Sequence, residues 1–167
     1  MEIPFTRPDI TAREVDAVSA VLRSGWLTTG PITARFENAL CDHTGADGVV
    51  CVASATAGLE LTLRLLGIGP GDEVIVPAYT FTATAAAVVH VGATPIPADC
   101  LPGCFHLRPE AVEPLMSPRT AAVIGVDLAG ELCDYDGLKA ICADFCAPKR
   151  GGLWELLGRP AVLADAA

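Results

Sequence analysis

The sequence is poor in positive charge and lacks any long uninterrupted apolar run. Of its 167 residues, 11 are Lys or Arg and 20 are Asp or Glu, which gives a formal net charge of −9. Proteins that bind nucleic acid through its phosphates carry the opposite charge, so no nucleic-acid partner is expected. The longest apolar run, 85–93, is interrupted by His90. It is far shorter than the roughly 20 residues that cross a bilayer, so no membrane association is expected either.

The sequence also lacks an export signal and the spacing of a metal site. Its first seven residues are not a basic segment followed by an apolar stretch, so a cytoplasmic protein is expected. Seven cysteines stand at scattered positions, and in that compartment they are expected to be reduced thiols. The pairs Cys100/Cys104 and Cys142/Cys146 lack the Cys-x2-Cys spacing and the histidine partners of a zinc site. No metal is therefore predicted.

Aromatic residues make up only 5% of the chain, but apolar residues make up 51%, which is enough for a packed core. The first 48 residues predict two amphipathic helices. The first begins at the capping-box pattern of Thr11 and Glu14, and the second ends near Gly45. A turn-rich loop, 26–31, connects them. Residues 1–48 are therefore predicted to be an N-terminal helical segment with a loop.

From residue 49 onward, short apolar runs alternate with helical segments. Strands are predicted at 49–53, 74–76, 94–96, 121–126 and 161–164. Helices are predicted at 55–66, 80–91, 109–116 and 135–146, and 147–160 is predicted to be a surface insertion with a short helical turn. Apolar strands separated by helices are typical of a mostly parallel sheet with helices on both faces. The predicted class is α/β, and no closing helix follows the last strand, so the domain is expected to be incomplete.

Ligands of open α/β sheets bind beyond the carboxyl ends of the strands. After the first predicted strand come Ser54, Ala55 and Thr56, small residues that open a helix. Free backbone N–H groups and the positive end of the helix favour an anion there, and the hydroxyls of Ser54 and Thr56 add donors. From this segment alone, the alternative that Ser54 only caps the helix is favoured.

Three more side chains follow predicted strands. Phe81 opens the helix after the second strand, where its ring could stack on a planar ligand; in isolation, a place in the core is the favoured alternative. Asp127 and Asp165 follow the fourth and the last strand, and a carboxylate there is costly to bury without a partner. A cationic nitrogen of a bound heterocycle would be such a partner, and capping of the next helix is the alternative. Together the features predict a phosphate site, an aromatic platform and a carboxylate.

Seven short motifs run in order through nearly the whole chain. They are Gly25-Trp26-Leu27-Thr28-Thr29-Gly30-Pro31, Ser54-Ala55-Thr56-Ala57-Gly58-Leu59, the segment 66–77, Tyr79-Thr80-Phe81-Thr82-Ala83-Thr84, Val91-Gly92-Ala93-Thr94-Pro95, Ser117-Pro118-Arg119-Thr120 and Asp165-Ala166-Ala167. In this combination the sequence resembles the DegT/StrS-type aminotransferases of nucleotide-sugar and antibiotic-sugar biosynthesis. That family is a branch of the fold-type I pyridoxal phosphate enzymes.

The resemblance implies pyridoxal 5'-phosphate (PLP) as cofactor and a role for each matched position. Ala55 and Thr56 match the residues that hold the phosphate, and Phe81 matches the aromatic that stacks on the pyridine ring. Asp165 matches the carboxylate that keeps the ring nitrogen protonated, so that the ring can accept electrons. Asp127 stands where many members have His and is expected only to lie near the cofactor. Thr28, Thr29 and Gly30 match a loop that lies on the substrate side of the site in the family.

The resemblance also implies parts that the chain does not contain. The Schiff-base lysine of the family follows the Asp-Ala-Ala motif, so it is expected downstream of Ala167, and no catalytic residue is predicted within the chain. Lys139 and Lys149 are expected to be surface residues. Residues 49–167 are expected to be a partial PLP-binding large domain without its C-terminal part and without the small domain. The 167-residue chain alone is therefore expected to be inactive.

The implied activity is the transfer of an amino group to a keto-sugar attached to a nucleotide. Glutamate is the expected amino donor, and a homodimer is the expected assembly of the full-length protein. Two alternatives stay open: a PLP-dependent sugar dehydratase of the same family, in which His typically replaces the lysine, and a truncated homologue without catalytic function. A continuing reading frame with a lysine beyond Ala167 would distinguish them.

Overall fold

The computed structural model describes residues 7–145 and 153–166, without the side chains of residues 154 and 155. The chain forms two compact units, Met1–Cys51 and Val52–Ala167, and the sequence placed the division between residues 48 and 49. In the described part of the chain, no helix is long and apolar enough to span a bilayer.

The N-terminal unit holds two helices, α1 (Ala12–Ser24) and α2 (Pro31–Thr44). The predicted capping box is present, because the Thr11 hydroxyl accepts a hydrogen bond from the Arg13 amide at 3.2 Å and the Thr11 amide donates to the Glu14 carboxylate at 2.7 Å. Each helix ends at a glycine with positive φ. Glycine adopts this conformation at little cost because it has no Cβ.

The second unit is built on four parallel strands in the order β2-β1-β3-β4. These are β1 (Glu73–Pro77), β2 (Thr94–Ala98), β3 (Thr120–Val126) and β4 (Ala161–Asp165). In register, Ile75 of β1 lies between Ile96 of β2 and Val123 of β3, and Val126 at the end of β3 pairs with Asp165 at the end of β4. All residues of β1 and β3 are buried, as the continuous apolar runs predict for a covered parallel sheet.

Helices cover both faces of this sheet, which confirms the predicted class. They are α3 (Ala55–Leu65), α4 (Ala83–His90), α5 (Pro109–Val112), which continues as a 3-10 turn over 113–115, and α6 (Tyr135–Ala143). A short helix, α7 (Leu153–Leu157), precedes β4. One core cluster joins α3 and α4 to the alternate strand residues Val74, Val76 and Ile124. The other joins α5 and α6 to Ile75 and Val123. The two-residue alternation of a strand therefore divides the core into two layers.

The predicted strand at 49–53 is wrong. This stretch forms no strand, and Val50 and Val52 are 74% and 42% exposed. A strand requires hydrogen bonds to a neighbouring strand, and none of the four strands of the sheet pairs with this stretch.

Helix boundaries differ from the predictions by a few residues. The helix predicted at 80–91 begins at Ala83, because residues 79–82 form a bend and turn first, and the one predicted at 135–146 ends at Ala143. The predicted insertion at 147–160 contains α7, and its residues 147–152 lie outside the described residues, as does Lys149.

Candidate functional site

The topology of the sheet defines where a ligand would bind. From β1 the chain passes through α4 to β2 on one side, and from β2 it returns to β3 on the other side of β1. Such a reversal opens a crevice at the carboxyl ends of the strands. A cleft of about 370 Å³ lies there, lined from α3, the turn after β1, and the ends of β3 and β4. Four of the predicted site residues line it: Ala55, Thr56, Phe81 and Asp165.

The amino end of α3 forms one side of this cleft, where the sequence predicts an anion site. Ser54 has extended backbone and its hydroxyl oxygen accepts a hydrogen bond from the Ala57 amide at 3.1 Å, so Ser54 is the helix N-cap. The amides of Ala55 and Thr56 are the first two of the helix and have no acceptor within it. A cap at Ser54 is compatible with the predicted anion site, because it fixes the first turn and leaves these two amides available.

Phe81 lies at the cleft with 81% of its surface exposed. The alternative that it belongs to the core is therefore wrong. An exposed phenyl ring gains free energy when a second apolar surface covers it, and aromatic rings prefer offset or edge-to-face contact with another ring. The side chain can therefore serve as a platform for a planar ligand.

Asp165 supplies a carboxylate at the end of β4 and is only 8% exposed. The hydroxyl of Thr84, which is 1% exposed, donates a hydrogen bond to Asp165 Oδ2 at 2.9 Å. The hydroxyl of Thr80 lies 3.1 Å from that of Thr84, and both threonines line the cleft. Sequence reasoning named neither threonine as a site residue, although both stand in the Tyr79-Thr80-Phe81-Thr82-Ala83-Thr84 motif.

Asp127 is held on the neighbouring strand end, and it is not among the residues that line the cleft. Its Oδ1 accepts hydrogen bonds from the Tyr135 hydroxyl at 2.6 Å and from the Cys133 amide at 3.1 Å. Its own amide donates to the Asp165 carbonyl at 2.9 Å. No side-chain capping bond to the following 3-10 turn is formed. Asp127 therefore ties the ends of β3 and β4 to the start of α6.

Burial sets the protonation of the groups around Asp127. The pKa of the Tyr135 hydroxyl is raised, first because it is buried and then because it donates to Asp127. Burial also raises the pKa of the Cys133 thiol, whose sulfur donates to the Val126 carbonyl at 3.2 Å. Both groups are therefore neutral donors at neutral pH.

The predicted substrate-side residues Thr28, Thr29 and Gly30 belong to the N-terminal unit. The Trp26 indole donates a hydrogen bond to the Thr29 carbonyl at 3.0 Å. Its ring covers Gly30 so closely that a Cβ at that position would lie 2.5 Å from Nε1. A side chain at position 30 would therefore require the Trp26 ring to move. The role of this loop toward substrate stays a prediction.

The donor set of the cleft fits PLP. The helix end provides backbone amides for a phosphate, Phe81 provides an exposed ring for a pyridine, and Asp165 provides a buried carboxylate for a cationic ring nitrogen. No three His, Cys, Asp or Glu side chains within residues 7–145 and 153–166 come together as metal ligands would. The six described cysteines are free thiols.

Known proteins are similar to this chain in fold and in sequence. The family model of the DegT/DnrJ/EryC1/StrS aminotransferase family matches residues 8–147. The chain is 42% identical to Spr1654 from Streptococcus pneumoniae, named as a sugar aminotransferase, whose PMP-form superposes with a TM-score of 0.96 over 99% of this chain and 42% of that one. The PLP-form gives the same TM-score. A 3-amino-5-hydroxybenzoic acid synthase is 36% identical, with a TM-score of 0.80 over 88% of this chain and 38% of that one.

The fold is therefore that of the PLP-dependent fold-type I aminotransferases. The chain belongs to the DegT/DnrJ/EryC1/StrS aminotransferase family. It spans about 42% of the length of Spr1654.

Proposed function

We propose that this chain forms the cofactor-holding part of a PLP-dependent aminotransferase that acts on a sugar. The observation that carries the proposal is the cleft at the switch point, which is lined by Thr56, Phe81 and Asp165 together. The three residues come from three separate segments of the chain, and each offers the group that a different part of PLP needs. The names of the PLP- and PMP-forms of Spr1654 support the same cofactor.

Each residue has a defined task in this proposal. The amides of Ala55 and Thr56, with the hydroxyls of Ser54 and Thr56, hold the phosphate at the positive end of α3. Phe81 covers one face of the ring. Asp165 pairs with the ring nitrogen and keeps a proton on it. When bound, PLP supplies the electron sink that amino transfer requires.

In the proposal, Asp127 does not contact the cofactor and acts through Asp165. It does not line the cleft, but its amide holds the Asp165 carbonyl at 2.9 Å and its carboxylate is anchored by Tyr135. Asp127 therefore fixes the backbone from which the Asp165 side chain projects, and it lies near the cofactor as the resemblance implies.

The substrate is proposed to be a nucleotide-linked keto-sugar, with glutamate as amino donor, a homodimer as assembly and the cytoplasm as location. The support is the family and the name of Spr1654 as a sugar aminotransferase. One relative is named for an aminobenzoate product instead. A comparison of a nucleotide-linked keto-sugar with a keto precursor of that aminobenzoate, as acceptors for the amino group, therefore tests the substrate class directly.

We propose that neither lysine of this chain is the one that bonds to the cofactor aldehyde. Lys139 lies on α6, its side chain is 57% exposed, and its ammonium group lies 3.7 Å from the Asp136 carboxylate. It is not among the residues that line the cleft. By the resemblance, the lysine follows the Asp-Ala-Ala motif in the family.

The proposal is tested by titrating the chain with PLP and following the absorbance of the cofactor. Phe81→Ala is expected to weaken PLP binding, because an aromatic contact is worth roughly 0.5–1.5 kcal/mol beyond the area it buries. Thr56→Ala is expected to weaken it by about 1.5–3 kcal/mol, the value of a hydrogen bond to a charged group.

Phe105→Ala is the matched control. Phe105 is also an exposed aromatic, at 60%, and it pairs with Tyr79 at a ring distance of 5.4 Å without lining the cleft. Its removal should leave PLP affinity unchanged. Equal affinity in the parent, Phe81→Ala and Thr56→Ala proteins would show that PLP does not bind in this cleft.

A further inference from the structure

We infer that Thr84, supported by Thr80, is a positioning residue that holds the carboxylate of Asp165 in the orientation from which it can accept a hydrogen bond from the ring nitrogen of a bound ligand. This inference rests on the proposed function. It gives a role to two hydroxyl groups, those of Thr80 and Thr84, to which neither the sequence motifs nor the lining of the cleft alone assigns one.

The carboxylate of Asp165 fixes the direction of this chain of hydrogen bonds, because a carboxylate can only accept. A threonine hydroxyl has one proton to donate and two lone pairs that accept. Thr84 uses its proton on Asp165 Oδ2, at 2.9 Å. At the 3.1 Å contact between the two hydroxyls, Thr84 can therefore only accept, and Thr80 must donate. The chain runs in one direction, from Thr80 through Thr84 to the carboxylate.

The hydrogen bond from Thr84 restrains the position of the Asp165 carboxylate. Burial strengthens the effect, because Thr84 is 1% exposed and Asp165 is 8% exposed, so water competes little for these bonds. The bond also holds the side chain in one orientation.

The two groups come from distant parts of the chain. Thr84 lies in the first turn of α4, directly after the turn that carries Phe81, and Asp165 lies at the end of β4. The hydrogen bond therefore connects the segment that bears the aromatic platform to the strand that bears the carboxylate. A ligand that contacts both Phe81 and Asp165 is positioned by this connection.

The test uses PLP that is labelled with ¹⁵N at the ring nitrogen, bound to the chain, and the ¹⁵N chemical shift as the readout of ring protonation. Thr84→Val has nearly the same shape and no hydroxyl. It is expected to move the shift toward that of unprotonated pyridine, by a change of about tenfold in the ratio of protonated to unprotonated ring, because the carboxylate is no longer held toward the ring nitrogen. Thr84→Ser retains the hydroxyl and should keep the parental shift.

Thr80→Val is expected to change the shift in the same direction by less, because Thr80 acts only through Thr84 and neighbouring hydrogen bonds strengthen one another by roughly 10–30%. A parental shift in Thr84→Val would overturn the inference. An equal change in Thr84→Val and Thr84→Ser would overturn it too, because packing and not the hydroxyl would then be the cause.

A second measurement separates this inference from the proposed function. In the cofactor-free chain, the Thr84 hydroxyl proton is expected to exchange slowly with water by proton NMR, and to exchange faster in Asp165→Ala. A parent that binds no PLP but protects this proton contradicts the proposed function and leaves the hydroxyl chain in place. A rapidly exchanging Thr84 proton in the parent would overturn the chain itself.

Discussion

Asp165 accepts a hydrogen bond from a threonine that lies 81 residues earlier in the sequence. At the scale of single residues, this contact shows what sequence reasoning could and could not reach. The carboxylate was predictable, because an Asp after an apolar strand needs a partner. Its partner Thr84 was not, because the register between α4 and β4 is set by packing of the whole sheet. For Phe81, the resemblance implied a stacking role, while the residue taken in isolation favoured a place in the core.

Asp165→Ala is expected to leave PLP bound and to reduce amino transfer by orders of magnitude in the enzyme that carries this domain. Without the carboxylate, the pyridine nitrogen loses its proton, and an unprotonated ring is a poor electron sink. Single-turnover transfer from the amino donor measures this step. Asp136→Ala, which removes a fully exposed carboxylate on α6, should transfer at the parental rate. A parental rate in Asp165→Ala would remove this residue from the mechanism.

The buried thiols predict how stability depends on pH. Burial raises the pKa of Cys142 from 9.0 to about 11, and burial raises that of Cys133 as well. Between about pH 9 and pH 11 the unfolded chain loses these protons and the folded chain keeps them, so the free energy of unfolding falls as pH rises.

Urea unfolding at about pH 8 and about pH 10 measures this fall. Cys142→Ala should reduce it, and Cys51→Ala, which removes a partly exposed thiol, should not. A free energy of unfolding that is constant or rises over this range would contradict the assignment.

At the scale of elements, continuous apolar runs predicted the three strands β1, β3 and β4 to within one residue at either end. The same rule failed at 49–53, where Val50 and Val52 are exposed, because an apolar run cannot report whether a neighbouring strand exists to pair with it and cover it. Helix starts were less accurate where capping is absent: α4 has no side-chain capping bond, and its predicted start is three residues early. In contrast, α1 and α3 begin directly after their capping residues.

The amino end of β1 contains an ion pair that should stabilise the sheet without affecting the cleft. Glu73 is 6% exposed, and its carboxylate contacts the Arg119 guanidinium and accepts a hydrogen bond from Ser117. Arg119→Met is expected to cost about 1–3 kcal/mol in urea unfolding, because the buried carboxylate loses its cation. The value lies below that of a fully buried pair because the Arg119 side chain is 68% exposed.

Lys139→Met is the matched control for Arg119→Met. Lys139 and Asp136 form an exposed pair at 3.7 Å, for which about 0–0.5 kcal/mol is expected. PLP affinity should stay parental in both variants, since Glu73 and Arg119 lie at the end of the sheet opposite the cleft. A cost for Arg119→Met no larger than that of the control would contradict the stabilising role of the pair.

At the scale of the whole molecule, the order β2-β1-β3-β4 accounts for the site. The reversal between β1 and β3 leaves the carboxyl ends of the strands open, and the first turns of α3 and α4 lie beside them. The sequence predicted a parallel sheet but not its strand order, because apolar runs carry no information on neighbours. Position along the chain therefore predicted which residues follow strands, and only the topology brings Thr56, Phe81 and Asp165 to one cleft.

The most direct test of the account is a crystal structure of the chain with PLP. We expect the phosphate at the amides of Ala55 and Thr56, the ring against Phe81, and the ring nitrogen within hydrogen-bond distance of the Asp165 carboxylate. PLP bound with its phosphate away from the amino end of α3, or with its ring nitrogen away from Asp165, would contradict the assignment of this cleft.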